Sequence, residues 1–360
     1  MRKIRVGVIG LGEVAQIIHL PILQALSDRY EIVAMCDISP TLLHLMGERY
    51  GVERCYTDAF ELCRQPDVDA VWVLNSDEYH AECAVAAASS GKHVMIEKPM
   101  CLTLCEAEEI MRARDAAGVH VMVGYMRRYA PAFTRAVEEV RALGRINYAR
   151  VRDIIGQNRL SIEQSSIVYR PDDFPPEALR DRAERASMLV REAIGEAPKD
   201  LGNTYRLLCG LSSHDLSAMR ELLGGPPRRV ISAARSSNGR FLSAIFEYDG
   251  YVVTFETGTD AQRRFDAHIE VYGETRSVRV QYDTPYIRHL PTTLHLSETV
   301  GDAYTEKVER PTYKDPYTHE IDRFYEVVTQ DIPSKTTSED SIEDLKLFRR
   351  IIDALRTGGE

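Results

Sequence analysis

After an aliphatic run the chain reads Gly10-Leu11-Gly12-Glu13-Val14-Ala15 and then turns helical. In that setting G-x-G-x-x-A is a dinucleotide-binding turn. Gly10 permits the tight turn, Gly12 lets backbone N–H groups approach a pyrophosphate at the helix N-terminus, and small Ala15 lets the helix pack on the strand. Glu13 and Val14 belong to the same cofactor-contacting turn. Asp37 ends the second strand pattern, 22 residues after Ala15, where a carboxylate would accept hydrogen bonds from ribose hydroxyls and repel a 2′-phosphate. Neither Ile38 nor Ser39 supplies a compensating cation, so NAD is expected over NADP. Further on, Glu97-Lys98-Pro99 closes another strand pattern. Ligands on such sheets bind beyond the carboxyl ends of the strands. There the pair is either a surface salt bridge from Glu97 with a solvated Lys98, or Lys98 is a functional lysine.

The elements that would carry these residues follow from hydrophobic periodicity. Strands are expected over 4–9, 32–36, 70–74, 93–96 and 119–123, alternating with helices over 15–26, 41–50, 81–89 and 106–116, which is the pattern of a parallel sheet wound with helices. Thr103 and Glu106 have capping-box spacing. After Gly124 come a helix near 130–143, a strand over 147–154 and a charged stretch over 156–200 that reads as an insertion with an exposed helix at 177–194. A helix over about 203–223 stops at Gly224-Gly225-Pro226-Pro227. Strand patterns over 229–234, 242–248, 252–257, 268–272 and 277–281 predict an antiparallel sheet, and helices over 317–329 and 341–357 close the chain. The expected class is α/β, with a Rossmann dinucleotide-binding domain over 1–124 and a substrate-binding and oligomerisation α+β domain over 125–360 built on a large, mostly antiparallel open sheet.

His214 interrupts the apolar stripe of Leu207, Leu211, Ala218 and Leu222, so by position alone it is a core histidine. Arg127 and Arg128 admit two equal readings, anchors for substrate hydroxyl, phosphate or carboxylate groups, or a salt bridge at the domain junction. Asp153, Asn158, Asn203, Tyr205 and Arg206 are polar residues on elements expected to face the other domain, and spacing selects none of them.

Gly10–Ala15, His80 with Gly91-Lys92-His93, Glu97-Lys98-Pro99 and Gly124-Tyr125-Met126-Arg127-Arg128-Tyr129 resemble the glucose–fructose oxidoreductase, inositol dehydrogenase and rhizopine catabolism (Gfo/Idh/MocA) family. The resemblance implies sugar or cyclitol oxidoreduction, with Lys98 near both nicotinamide and reacting hydroxyl and with Asn75, His80 and Glu97 around the cofactor. Ser213-His214-Asp215-Leu216 resembles the family's histidine-bearing helix, which implies that His214 meets the substrate hydroxyl and takes its proton. Arg127, Arg128, Asp153 and Tyr205 are the accompanying substrate-binding candidates. The chain departs from the pattern twice. Asn75-Ser76 stands where the family shows Thr-Pro, and Gly210 stands where inositol dehydrogenases carry an aspartate one turn before the histidine. The second departure leaves Asp153 or Tyr205 to orient His214, or shifts proton chemistry to Lys98. It also keeps open a non-catalytic nucleotide sensor, and no sequence feature excludes a redox-neutral enzyme in which transient oxidation by bound NAD leads to elimination or glycoside cleavage.

Composition bounds the rest. Apolar residues make up 44% and charged ones 28% of the 360 residues, enough for two cores. The 45 Lys plus Arg against 55 Asp plus Glu leave a net charge of −10 without a basic block, which argues against nucleic acid as a partner. No run approaches a membrane span or a signal-peptide core, so a cytoplasmic protein is expected. The seven cysteines, Cys36, Cys55, Cys63, Cys83, Cys101, Cys105 and Cys209, lack CxxC pairs and read as reduced core thiols, with no metal site expected. A sheet with too few helices to cover both faces suggests a homodimer or homotetramer.

Overall fold

The computed structural model describes residues 2–236 and 238–357. They fall into two units, one of residues up to Gly124 with Ser166–Ala193 and Glu320–Ile342, the other of Tyr125–Ser165, Ile194–His319 and the chain from Glu343 onward.

The first unit is built on a parallel sheet of β1 (Ile4–Ile9), β2 (Tyr30–Cys36), β3 (Cys55–Tyr56), β4 (Ala70–Val73), β5 (His93–Glu97) and β6 (Val121–Gly124). The strand order is β3-β2-β1-β4-β5-β6, a Rossmann sheet whose order reverses between β1 and β4. Strands β4 and β6 are buried throughout, as expected of a sheet covered on both faces. The helices are α1 (Leu20–Ala25), α2 (Pro40–Tyr50), α3 (Ala59–Cys63), α4 (His80–Ser89) and α5 (Leu104–Ala117). Ser39 caps α2 by accepting from the Leu42 N–H, and the Thr103–Glu106 capping box closes reciprocally at the start of α5. Before α1 the turn Ala15–His19 is π-helical, so the helix expected over 15–26 widens at its start.

The second unit contains α6 (Pro131–Arg141), β7 (Tyr148–Ile155), α7 (Arg159–Ser165), the end of α8 (Pro176–Ile194), α9 (Lys199–Leu207) and α10 (Ser213–Leu222). Its strands continue with β8 (Arg229–Arg235), β9 (Phe241–Glu247), β10 (Val252–Thr259), β11 (Phe265–Tyr272), β12 (Arg276–Tyr282), β13 (Thr293–Val300) and β14 (Ala303–Glu309). The eight-stranded order is β14-β13-β12-β11-β7-β10-β9-β8, antiparallel except between β7 and β10. Strict alternation of buried and half-buried residues along β7 gives this sheet one core face. The helices α11 (Pro316–Gln330) and α12 (Ser338–Thr357) complete the chain.

The structure adds elements that the periodicity did not announce. The short β3 and α3 carry too few residues for a periodic signal, and β14 shows none because it is exposed along nearly its whole length. β13, which buries Thr293, Leu294 and Leu296, is a further strand beyond those expected. The stretches 166–193 and 320–342 group with the first unit. For the latter the reason is aromatic packing: Phe324 stacks edge-on against fully buried Trp72 at 4.9 Å, and Tyr30 donates to the Ile321 carbonyl at 2.7 Å. The Val123 N–H also donates to the Thr336 carbonyl at 2.9 Å, carrying the β6 edge onward. Finally, Cys55 and Cys105 are exposed, whereas the other five thiols are buried. Among the described residues no helix is long and apolar enough to cross a membrane.

Candidate active site

The glycine turn leaves β1 with the Gly10 N–H donating to the Cys36 carbonyl at 2.8 Å. Gly10 has φ +89°, and a Cβ there would lie 2.4 Å from the Asn75 backbone nitrogen, so the chain's own backbone requires this glycine. Gly12 is different. A Cβ on it would meet nothing within 4 Å, so the chain leaves open space beside a helix N-terminus. Ala15 is buried in the π-helical turn. Asp37 accepts from the Leu11 N–H at 2.7 Å and the Ser39 N–H at 2.9 Å, which fixes its carboxylate and leaves lone pairs for ribose hydroxyls. Burial raises its pKa against those bonds, and the charge of Asp173 raises it further. At the end of β4, Asn75 donates to Cys83 Sγ at 3.4 Å, while its buried Oδ1 makes no hydrogen bond. An open approach at Gly12, a fixed acceptor at Asp37 and an acceptor at Asn75 fit a dinucleotide laid across the β1–β4 switch point.

Glu97-Lys98-Pro99 is held by groups that sequence reasoning did not single out. Buried His19, at the end of the π-helical turn, lies with Nε2 at 2.9 Å from Glu97 Oε1, and the Lys98 N–H donates to Glu97 Oε2 at 3.0 Å. Burial works against ionisation of Glu97, but the His19 bond and charge together with Lys98 outweigh it and lower its pKa. Lys98 itself is half-buried, and the following peptide to Pro99 is cis. His80 sits between loops, with Nδ1 at 2.7 Å from the Pro99 carbonyl and Nε2 at 3.1 Å from the Asn75 carbonyl. It thus ties the end of β4 to the turn bearing Lys98. Lys92 caps two carbonyls, those of Gln65 and Val68, before β5 begins.

In the second unit His214 stands in the first turn of α10 and is 8% exposed. The continuous helix expected over 203–223 is interrupted just before it by a π-helical turn, Leu208–Ser212, which contains Gly210. Gly210 is exposed and a Cβ there would meet nothing, so packing does not dictate the glycine. Next to His214, wholly buried Asp215 accepts from Arg127 Nη1 at 2.5 Å, and Asp153 on β7 accepts from the same nitrogen at 3.2 Å. The guanidinium lies over the rings of Tyr282 at 4.9 Å and Phe265 at 5.6 Å. Burial and the neighbouring Asp153 charge hold the Asp215 pKa well above the ordinary 3.8 despite Arg127. Arg128 donates to Glu221 at 2.6 Å, again on α10. Both arginines and Asp153 thus anchor the helix that carries His214, and Tyr205 is buried on α9. Asp215 and Glu221 lay within the quoted helix, but only the fold shows what they meet.

Residues 4–125 match the model of an oxidoreductase family with an NAD-binding Rossmann fold, Gfo/Idh/MocA. The Rossmann unit belongs to that family. The chain is 27% identical over 352 residues to a myo-inositol 2-dehydrogenase from Thermotoga maritima, covering 93% of this chain and 91% of that one. A 1,5-anhydro-D-fructose reductase from Ensifer adhaerens is 28% identical over 247 residues, 68% of this chain and 64% of that protein. In fold it is similar to a 3-ketoreductase from Actinomadura kijaniata, solved in complex with NADP and TDP-benzene, with a TM-score of 0.73 and 20% identity over 99% of this chain and 98% of that one. The match falls on the first unit and covers the strand, glycine turn and Asp37 described above.

Proposed function

We propose that the chain is an NAD-dependent oxidoreductase acting on a secondary hydroxyl of a sugar, sugar derivative or cyclitol. The observation that carries the reading is the fixed Glu97-Lys98 turn at the carboxyl end of β5, beside the strands that flank the switch point. When bound, the nicotinamide supplies the hydride acceptor or donor. Asp37 and the turn at Gly10–Ala15, with Glu13 and Val14, hold the dinucleotide, and Asn75 and His80 shape the neighbouring loop. Lys98 stabilises negative charge developing on the reacting oxygen, and Glu97 fixes the backbone from which it reaches. His214 takes the hydroxyl proton, or returns it in the reverse direction. Arg127, Arg128 and Asp153 act by positioning α10, with Tyr205 packed on the preceding helix. The small, neutral surface at Gly210 leaves the histidine without the aspartate that inositol dehydrogenase relatives place there. Exposed apolar residues on the second unit's strands, Ile231, Val300, Tyr304 and Val308 among them, support assembly as a homodimer or homotetramer.

The test is Lys98→Met. Turnover should fall by about 10²- to 10⁴-fold while NAD affinity, measured by calorimetry, stays within about threefold. Equal turnover in the variant would remove Lys98 from the chemistry.

A further inference from the structure

The stretch 166–185 is pinned to three loops at the carboxyl edge of the Rossmann sheet, those after β1, β2 and β4. At the glycine turn, Gln16 exchanges two hydrogen bonds with the Tyr169 backbone, at 2.9 and 3.1 Å, and Arg170 pairs with Glu13 at 2.6 Å. At the β2–α2 turn, Asp173 accepts from the Ser39 hydroxyl at 2.5 Å and from the Thr41 N–H at 2.9 Å. At the start of α4, Tyr79 donates to Asp181 at 2.6 Å and Arg185 pairs with Glu82 at 2.8 Å. The strap thus brings an acid from 136 positions downstream of Asp37 to the same turn.

That turn is where the 2′-phosphate of NADP would have to find donors or a cation, because Asp37 beside it is the ribose acceptor. The Ser39 and Thr41 donors are spent on Asp173, and the Ser39 and Leu11 N–H groups are spent on Asp37. The nearby strap cation, Arg170, is paired with Glu13 on the glycine turn. A 2′-phosphate would therefore meet two carboxylates and displaced donors, whereas a 2′-hydroxyl needs only an acceptor. We propose that Asp173 is a second cofactor-specificity residue, an anion supplied by the strap that occupies the α2 N-terminus and restricts the crevice to the dinucleotide with a free 2′-hydroxyl. The proposal rests on the reading of this crevice as an NAD site.

Calorimetric titration of the full chain with NAD and with NADP tests it without requiring turnover. Asp173→Asn keeps an acceptor for the turn and removes the charge. It should tighten NADP binding by about 5- to 50-fold and change NAD binding by less than about threefold. Because the effect is electrostatic, it should shrink as salt rises from about 0.05 to 0.5 M, which lost helix capping alone would not produce. Asp173→Ser gives the same comparison if the Asn variant is poorly folded. An unchanged NADP-to-NAD ratio in folded variants would overturn the role of Asp173, as would a wild type that binds both dinucleotides equally. A wild type that binds neither would overturn the cofactor reading itself and this inference with it.

Discussion

The glycine turn of the first unit and the helix α10 of the second handle charge in opposite ways. At Gly12 the first unit leaves space and backbone donors at a helix N-terminus, an arrangement that gains its stabilisation when an anion arrives. Around α10 the second unit buries an arginine and two aspartates against each other, so its charges are paired within the fold. Each region also adjoins a π-helical turn, Ala15–His19 in one and Leu208–Ser212 in the other. Such turns are frequent at functional sites because they break the regular register of a helix and re-aim one side chain. The difference teaches which residues should control binding and which should control stability. Substitutions at the open turn should alter cofactor affinity, and substitutions in the closed cluster should unfold the unit or misplace His214.

The sharpest break between the two regions is His214→Ala. Its turnover should fall by about 10²- to 10⁴-fold with NAD affinity unchanged, and a loss below about threefold would show that Gly210 marks a histidine without a proton-transfer role. Next is Arg127→Met, which strands two buried carboxylates. Chemical denaturation should show a loss of about 3–5 kcal/mol, and a loss below about 1 kcal/mol would contradict the closed cluster.

The paired glycines sharpen the contrast inside the first unit. Gly10→Ala should lower the melting temperature, because its φ is positive and its Cβ would meet the Asn75 backbone. Gly12→Ala should leave the melting temperature nearly unchanged and weaken NAD binding, so equal effects of the two on stability would refute the distinction.

The smallest expected effects are in pH dependence, where the units differ in sign. Asp215 has a raised folded pKa, so its contribution is complete below the ordinary carboxylate range and is lost as pH rises toward the raised value. Glu339, hydrogen-bonded by Arg114 and lowered to about 2, contributes above the ordinary glutamate pKa and loses that contribution as pH falls toward 2. Because Glu339 is a surface partner, its share is about 0–1 kcal/mol. Unfolding of Asp215→Asn and Glu339→Gln across pH 2 to 7 should therefore lose opposite limbs of the wild-type profile. Parallel profiles would contradict the opposite directions of the two shifts.

Local patterns carried much of this in the sequence. The β1 strand, the glycine turn, Asp37 and the Thr103–Glu106 box are contiguous or closely spaced, so periodicity and turn chemistry expose them. The same holds for most strands of the second sheet, whose buried positions alternate. What stayed hidden depends on chain segments far apart in sequence meeting in space. His19 on Glu97, Asp173 on Ser39 and Asp215 on Arg127 join residues separated by 78, 134 and 88 positions, and no local pattern announces such pairs. The π-helical turns were hidden for another reason, since a single widened turn leaves the apolar stripe nearly intact.

The most direct measurement of the central claim is the near-ultraviolet absorbance of reduced nicotinamide when the protein and NAD meet a panel of sugars, glycosides, sugar acids and inositols, with NADP in parallel. Stoichiometric as well as catalytic amounts are recorded, since a tightly held cofactor reduces once and stops. The account predicts reduction with one class of polyol or cyclitol, faster with NAD than with NADP, and abolished in Lys98→Met. No reduction by any member of the panel, in protein shown by calorimetry to bind NAD, would contradict it.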